Sequence, residues 1–546
     1  MKLNKYIYTS MLMMALGLAA CSDQLDIERH GSQPVEKYYK TDAQALGSLA
    51  TIYGELTDNN WYTKDIFMTN LTSDDVYTGG GNRGDSYTYE EVNEFRHATD
   101  NSMISDIYSI YYKLVYKCNL TINKVNPDES ETKKRCVAEA KVLRAWAYLR
   151  LACTFGSCPV ITDVQEEGNY QRANNTQAEL FAQVEKDLTE AIASGALLEK
   201  KNVDDQVVNV TKQTAQGLLG KAYVYESTYL NVDKWSEARK ALSEVINSGK
   251  YALYKGQYDN MWHEVGRFSC ESMLETNHYR DEQNMASTWG YATFNYRVEN
   301  FNQSQLTAAN EKGADITSSA CWGFFYPTKS LYDAFVEEEG VDGYRLNRTI
   351  LTYKKMSEYP LSILNGKSIY GCEGYFGLKL AARKSDEITP SLWAKDCLMF
   401  RYAEVLLLAA EAELPIHGGN QSKVDQYINE IRTRAHVTKQ PGNYTLEDVQ
   451  KEKRLELCFE GSRFFDLVRW GIASNALAEK GKKIPSLYGL ANGADNGNPS
   501  FENVDGYNVK YYETSSEGYK KVKNDFYPIP LKELNVNPYA KQHEGW

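Results

Sequence analysis

Apolar residues recur three and four positions apart over most of the chain, the period that lines one face of a helix. This spacing predicts helices over residues 42–53, 105–123, 133–155, 177–194, 212–227 and 234–247. A second helical block occupies residues 399–470. MFRYAEVLLLAAEAEL carries Val405, Leu408, Ala409 and Ala412 on one stripe, YINEIRTRAHV carries Tyr427 and Ile431, and EKRLELCFEGSRFFDLVRWG carries Leu455 and Phe459. The third pattern breaks at Gly461 and restarts with Phe464, Phe465, Val468 and Trp470. Two long stretches, 56–91 and 251–396, hold no sustained period and read as irregular loops.

A ladder of charges runs through the second block: Arg401, Glu404, Glu411, Arg432, Arg434, Arg454, Glu456, Glu460, Arg463, Asp466 and Arg469. Acids and bases three and four apart pair on a helix surface. So many charges among so many aromatics predict partly buried ion pairs that fix how the helices dock. Nearly every acid has an arginine at helical spacing, which favours this structural reading over paired catalytic carboxylates. In the first block, TAQGLLGKAYVYES and WSEARKALSEVI look like a tetratricopeptide helix pair. Gly220 and Ala222 put small residues where two helices must approach, and Trp235 opens the next helix. VAEAKVLRAWAYLRLACTFG with QAELFAQVEKDLTEAI forms a second such pair. The expected fold is mostly α: a tetratricopeptide superhelix with long aromatic-rich loops on one side.

The irregular stretches concentrate the candidate chemistry. WYTKDIFMTNLTSDDVYTGGGNRGDSYTYEE contains Gly79-x-Gly81-x-x-Gly84, a formal match to a dinucleotide fingerprint. No apolar strand leads into it and DSYTYEE opens no evident amphipathic helix, so that function is rejected. NHYRDEQNMASTWGYATFNYRVENF and CWGFFYPTKSLYDAF gather Trp289, Tyr291, Phe294, Tyr296, Trp322, Phe324, Phe325 and Tyr326 among Gly, Asn, Ser and Thr. Long loops over a rigid scaffold are frequent binding sites. Sugar C–H faces rest on aromatic rings, and sugar hydroxyls need planar polar partners. Residues 61–89 and 279–301 answer that description, with core packing as the competing reading for each aromatic. GLANGADNGNPSFENVDGY, after Trp470, reads as a surface loop.

The formal charge of −12 argues against a nucleic-acid surface, since little would neutralise phosphates. Tyrosines number 41 against 17 phenylalanines, a balance that suits half-wet surfaces and helix seams. Ten cysteines include no C-x-x-C pair. Cys118, Cys136, Cys397 and Cys458 fall in helical patterns as small apolar residues, while Cys153 and Cys158 are close enough in sequence to bridge. The seven histidines (His30, His97, His263, His278, His417, His436 and His543) are scattered without zinc spacing. Gly84-Asp85-Ser86-Tyr87-Thr88 lacks the last glycine of a nucleophile elbow, and Gly366-Lys367-Ser368 has Leu361 where a P-loop needs glycine. No cofactor or metal is expected, and the sequence leans against an enzyme.

Residues 1–20 read as an export signal, with Lys2 and Lys5 ahead of an apolar run too short to span a bilayer comfortably. Leu18-Ala19-Ala20-Cys21 has the form of a bacterial lipobox, which implies cleavage before Cys21 and acylation of that residue. Multiple acyl chains would hold the chain firmly to a membrane. Residues 21–41 then form a tether, and 42–546 a single body. Within the body, tetratricopeptide-type helices occupy about 105–250 and 397–470, and loops about 56–100 and 251–396.

RYAEVLLLAAEAEL, INEIRTRAHV and EKRLELCFEGSRFFDLVRWG resemble the C-terminal signature of the SusD/RagB family. The Cys-x-x-x-Leu-Asp start, Pro327–Phe335 and the closing Pro528-Ile529-Pro530, Glu533, Asn537-Pro538, Gln542 pattern also match, so the resemblance covers nearly the whole chain. His543 stands where the family usually has Asn. The resemblance implies an outer-membrane lipoprotein that binds oligosaccharides and delivers them to a SusC-like TonB-dependent transporter. Peptide capture, as in the RagB branch, and a surface glycoside hydrolase are the alternatives. The family's Arg-Gly-x-x-Trp element matches Arg83 to Tyr87, with tyrosine in place of tryptophan, which turns the expected ligand away from starch towards mucin-type or other glycans. Arg83, Asp85, Tyr87 and Tyr89 are carried over on that match. Trp289, Tyr291, Asn295, Tyr296 and Trp322 come from aromatic density.

Overall fold

The computed structural model describes residues 38–57, 61–165, 170–278, 291–317, 321–359, 361–364, 367–389, 392–491 and 500–546. The export signal, Cys21, most of the tether and Trp289 lie outside the described residues.

Helix α1 (Asp42–Leu56) lies across α3 (Ser102–Lys124) and α4 (Glu131–Thr154). From there α5 (Gln177–Ala193), α6 (Lys212–Tyr229) and α7 (Trp235–Ser248) each pack on the preceding helix. The short α2 (Tyr87–Asn93) belongs to the loop region. Threonine caps fix several starts: Thr176 and Thr211 each accept from the amide three residues on. Gly220 in α6 faces α7, where an added Cβ would sit 2.5 Å from Leu242 Cγ, so the tetratricopeptide-like close approach is present. The array resumes after a long sequence gap. Helix α8 (Lys329–Glu339) lies within the loop region, while α9 (Tyr402–Ala412) packs on α6 and α7 and carries α10 (Gln421–Arg434) and α11 (Leu446–Leu457). Gly461, at φ +77°, separates α11 from α12 (Arg463–Arg469), as the sequence break predicts. The protein is thus mostly helical, with a superhelical layer continuous in space although not in sequence.

Strands are short. β1 (Val76–Tyr77) pairs antiparallel with β3 (Tyr326–Pro327), and β2 (Ser272–Glu275) with β5 (Leu398–Arg401). β4 (Ile369–Tyr370), β6 (Lys483–Leu490), β7 (Glu502–Val504) and β8 (Tyr507–Glu513) form an antiparallel sheet in the order β7-β8-β6-β4. The polar stretch expected to be a surface loop after Trp470 is exposed over most of its described second half, but there it includes the paired strand β7, while residues 492–499 lie outside the described residues. Residues 56–91 are also less irregular than expected, holding helical turns over Trp61–Ile66 and Phe67–Leu71 besides α2.

The charge ladder is buried, but its partners are mostly distant in sequence. Arg401 meets Glu271 at 2.6 Å, Glu456 at 2.7 Å and Glu460 at 2.7 Å. Arg432 joins Glu338 and Glu452, each at 2.8 Å, and Arg469 joins Glu411 at 2.6 Å. Arg454 and Arg463 reach back to Asp75 and Asp74, both at 2.8 Å. Only Arg469–Asp466 in this set follows helical spacing. These bonds tie the C-terminal helices to the loop-bearing half of the chain. The cysteines among the described residues are free thiols, all buried except the half-buried Cys270. Cys153, within α4, and Cys158, beyond its end, are both buried and form no bridge. Cys397 precedes β5 and is not helical.

Glu275 in β2 yields a pH-dependent prediction. Burial, with Asp396 nearby, pushes its carboxyl up to about 8. The folded pKa lies above the unfolded one, so stability is lost as pH rises from about 4.3 towards 8. Glu275→Gln keeps an oxygen for the Phe268 amide, which donates at 2.9 Å. Urea unfolding at pH 5 should show little change, and at pH 8.5 a gain on the order of 3 kcal/mol.

Candidate functional site

The glycine-rich loop after β1 is seated on backbone. The Gly80 amide donates to the Gly323 carbonyl at 2.5 Å, and an added Cβ at Gly79 would press on the carbonyls of Gly323 and Tyr370. On the other side of Gly323, its amide donates to the Asn295 carbonyl at 2.8 Å. The loop 79–86, the segment 321–325 and the turn 293–297 therefore form one backbone-linked rim.

Asp85 sits at the centre of that rim. Its Oδ2 accepts from the Gly81 amide at 2.6 Å and lies 3.3 Å from Nη1 of Arg297, which also meets Glu299 at 3.0 Å. Tyr87 is 59% exposed, with the Arg96 guanidinium 5.9 Å from its ring centroid. Trp322 is 38% exposed. Arg83 belongs to the Tyr87 cluster, since Arg96 beside Tyr87 shares Glu94 with it. It pairs with Glu94, bonds Tyr370 Oη at 3.2 Å and lies 3.4 Å from Glu90. The Glu94 bond raises the guanidinium pKa further, and burial raises that of the Glu90 carboxyl. Arg83 thereby walls a cavity of about 380 Å³ shared with Asn82, Tyr370, Ser486 and Tyr512. Tyr512 in β8 shares a 2.8 Å hydroxyl hydrogen bond with Tyr488 in β6.

The remaining expected residues hold the rim from within. Tyr89 packs edge-on against Phe67 and Phe324, with centroids 4.8 and 5.1 Å away. Asn295 is buried and accepts the Ala382 amide at 2.7 Å, while Tyr296 is buried against Phe301 and Phe376. Tyr291 opens a single helical turn, Tyr291–Phe294. The structure thus links the loop of Asp85 to the segment of Trp322 through Gly80 and Gly323, leaves Tyr87 exposed in a cluster with Arg96, Glu94 and Arg83, and uses Tyr89, Asn295 and Tyr296 as supports. Sequence reasoning missed Arg297, Tyr370 and Tyr512. Arg297 directly follows Tyr296, and the β-favouring Val509, Tyr511 and Tyr512 in YNVKYYE were the available signal for β8.

The glycine fingerprint does have a strand before it and a helix after it, contrary to expectation. The strand is two residues long, the helix seven, and the pairing antiparallel. The amides of Gly81 and Gly84, which would face a pyrophosphate, are taken by Asp85 and by Glu90 at 2.6 Å. The loop binds its own carboxylates.

A helical superlayer carrying an aromatic loop rim defines a ligand-capture scaffold. Residues 270–546 match the SusD family, and residues 23–224 match a family described as "Starch-binding associating with outer membrane". The chain belongs to the SusD family. SusD-like protein P2 of Formosa agariphila is 24% identical over 88% of this chain and 93% of its own length. A solved laminarin-binding SusD-like protein superposes with a TM-score of 0.70 at 26% identity, covering 93% of this chain and all of the other. Surface glycan-binding protein A from Bacteroides thetaiotaomicron, solved in complex with laminarihexaose, has a TM-score of 0.69 at 20% identity, covering 92% of this chain and 99% of its own.

Proposed function

We propose that the protein captures oligosaccharides at the cell surface and delivers them to a SusC-like TonB-dependent transporter. It is held at the outer membrane by acylation of Cys21. The observation that carries this reading is that two exposed rings, Tyr87 and Trp322, stand on the segments that meet at Gly80 and Gly323, beside the Asp85–Arg297 pair. Rings of this kind accept a pyranose face, and the carboxylate and guanidinium accept and donate to its hydroxyls. The glycan is a non-starch one, mucin-type or otherwise. Tyrosine in place of the tryptophan of the Arg-Gly-x-x-Trp element favours this, as do the laminarin-binding and laminarihexaose-bound relatives. The lipobox and the outer-membrane description of the N-terminal match support the location.

Capture without catalysis is the fitting chemistry. Asp85 and Glu299 both rest on Arg297, as partners of one cation, and not as the acid and base that glycoside hydrolysis requires. Calorimetry of the body from Ser22 onward against laminarihexaose, maltoheptaose, mucin-type oligosaccharides and peptides tests the reading. One saccharide should give saturable heat, with affinity lowered about tenfold, or about 1.4 kcal/mol, by either Tyr87→Ala or Trp322→Ala. Heat with peptides alone, or cleavage of the bound glycan, would overturn it.

A further inference from the structure

A second groove of about 980 Å³ lies between the segment after α7 and the C-terminal half of α10, and shares no lining residue with the loop rim. Its platform is a layered stack. The Tyr344 and His436 rings lie 4.0 Å apart and nearly parallel, at 17°, and the Arg348 guanidinium is 4.8 Å from the Tyr344 centroid. Tyr344 thus carries the His436 imidazole stacked on its ring with the Arg348 guanidinium close by, and His436 is exposed. The Tyr344 hydroxyl accepts the Tyr258 amide at 3.1 Å, which pins the stack from below.

His436 stands where a glycine is usual. The Val437 amide donates to the Arg432 carbonyl at 2.8 Å and the His436 amide to the Thr433 carbonyl at 3.1 Å, the pair of hydrogen bonds that closes a helix through a left-handed residue. His436 has φ +58°, a left-handed conformation uncommon outside glycine but open to histidine more than to most residues. From this position the imidazole stacks on Tyr344. Beside it, Gln426, Asn429, Glu430 and Thr433 occupy one face of α10 at three- and four-residue spacing and line the groove. Asn429 gives its carbonyl to Tyr444 Oη at 2.6 Å and keeps its amide hydrogens for another acceptor. Arg434, also lining the groove, keeps Nε buried without a hydrogen-bond partner.

We propose that this groove is a second saccharide site, in which a pyranose ring rests on His436 with its hydroxyls towards the amide and carboxyl groups of α10. A flat ring walled by Tyr254 and faced by planar polar groups matches a sugar, whose C–H face and hydroxyls need both. The proposal does not depend on the function assigned to the loop rim.

Saturation-transfer NMR on the mature chain with millimolar methyl glycosides of glucose, galactose, xylose and N-acetylglucosamine tests it. Transfer to at least one glycoside should persist in the Tyr87→Ala, Trp322→Ala variant and fall at least threefold when His436→Gly is added. Glycine is at home at φ +58°, so this variant keeps the helix end and removes only the ring. Transfer indifferent to His436→Gly, or none from any glycoside to the wild type, overturns the proposal. So does a His436-dependent signal from short peptides alone. If the rim variants leave oligosaccharide affinity unchanged while His436→Gly lowers it, the rim reading fails and this one stands.

Discussion

Arg401→Met is expected to lower the unfolding free energy by about 3–5 kcal/mol, read as a shift in the urea midpoint. Every donor of this buried guanidinium is used. Nε bonds Glu460, Nη1 bonds Glu271 and Glu456, and Nη2 bonds Glu460 and the Glu456 carbonyl, all within 2.6–2.8 Å. Methionine fills much of the volume but takes one cation from three buried carboxylates, leaving Arg434 to Glu271, Arg434 and Arg345 to Glu456 and Lys379 to Glu460, which is worse than never having buried them. A second readout separates this from simple loss of packing. Burial works to raise the Glu456 carboxyl, yet Arg434, Arg401 and Arg345 hold it well below the usual carboxylate range. Its folded pKa is depressed, so its stabilisation is present above the unfolded value near 4.3 and is lost as pH falls through the folded one. Removing Arg401 raises the folded pKa, and the acid-unfolding midpoint of the variant moves to higher pH. An unchanged acid midpoint would show that the cluster acts as packing alone.

Gly79→Ala is expected to abolish saccharide binding at the rim and to cost about 3 kcal/mol of stability. The added Cβ would sit 2.6 Å from the Tyr370 carbonyl oxygen, and closer still to the Gly323 carbonyl and the Tyr326 ring. Two of these three neighbours are backbone and cannot rotate away, so the loop must lift from β3 and β4 and carry Asp85 and Tyr87 with it. Gly84→Ala is the control. Nothing lies within 4 Å of its added Cβ, and only the left-handed φ of +87° opposes the change. That should cost about 1 kcal/mol and leave the rim in place. Equal losses of calorimetric affinity in both variants would sink the claim that Gly79 seats the site.

The scaffold was legible because its signals are local. The apolar period and the Gly461 break lie within a few residues of what they determine, so the helices fall within about three residues of their predicted ends. The need to bury Arg401, Arg432 and Arg469 was legible too, from charge density among aromatics. Their partners were not, because Glu271, Glu338 and Glu411 reach them only through the tertiary fold. The rim shows the same limit more sharply. Tyr87 and Tyr89 are two residues apart in similar surroundings, and what buries one is Phe324, far along the chain. Asn295 and Tyr296 looked like ligand contacts by composition, yet Ala382 and Phe376 claim them. The sheet around β6 and β8 was hidden by the polar insertion between its strands.

The buried free thiols have a further consequence. Burial raises the thiol pKa throughout, to about 11 at Cys136 and about 12 at Cys153 and Cys321, so that little thiolate is available in the folded state. An alkylating reagent meets them only when the surrounding segment opens. Cys118, Cys136 and Cys153 report on the first helices, Cys321 and Cys372 on the loop half, and Cys397 and Cys458 on the seam between them. The chain therefore carries its own set of opening reporters, and their order of modification under native conditions would reveal whether scaffold and loops breathe together or apart.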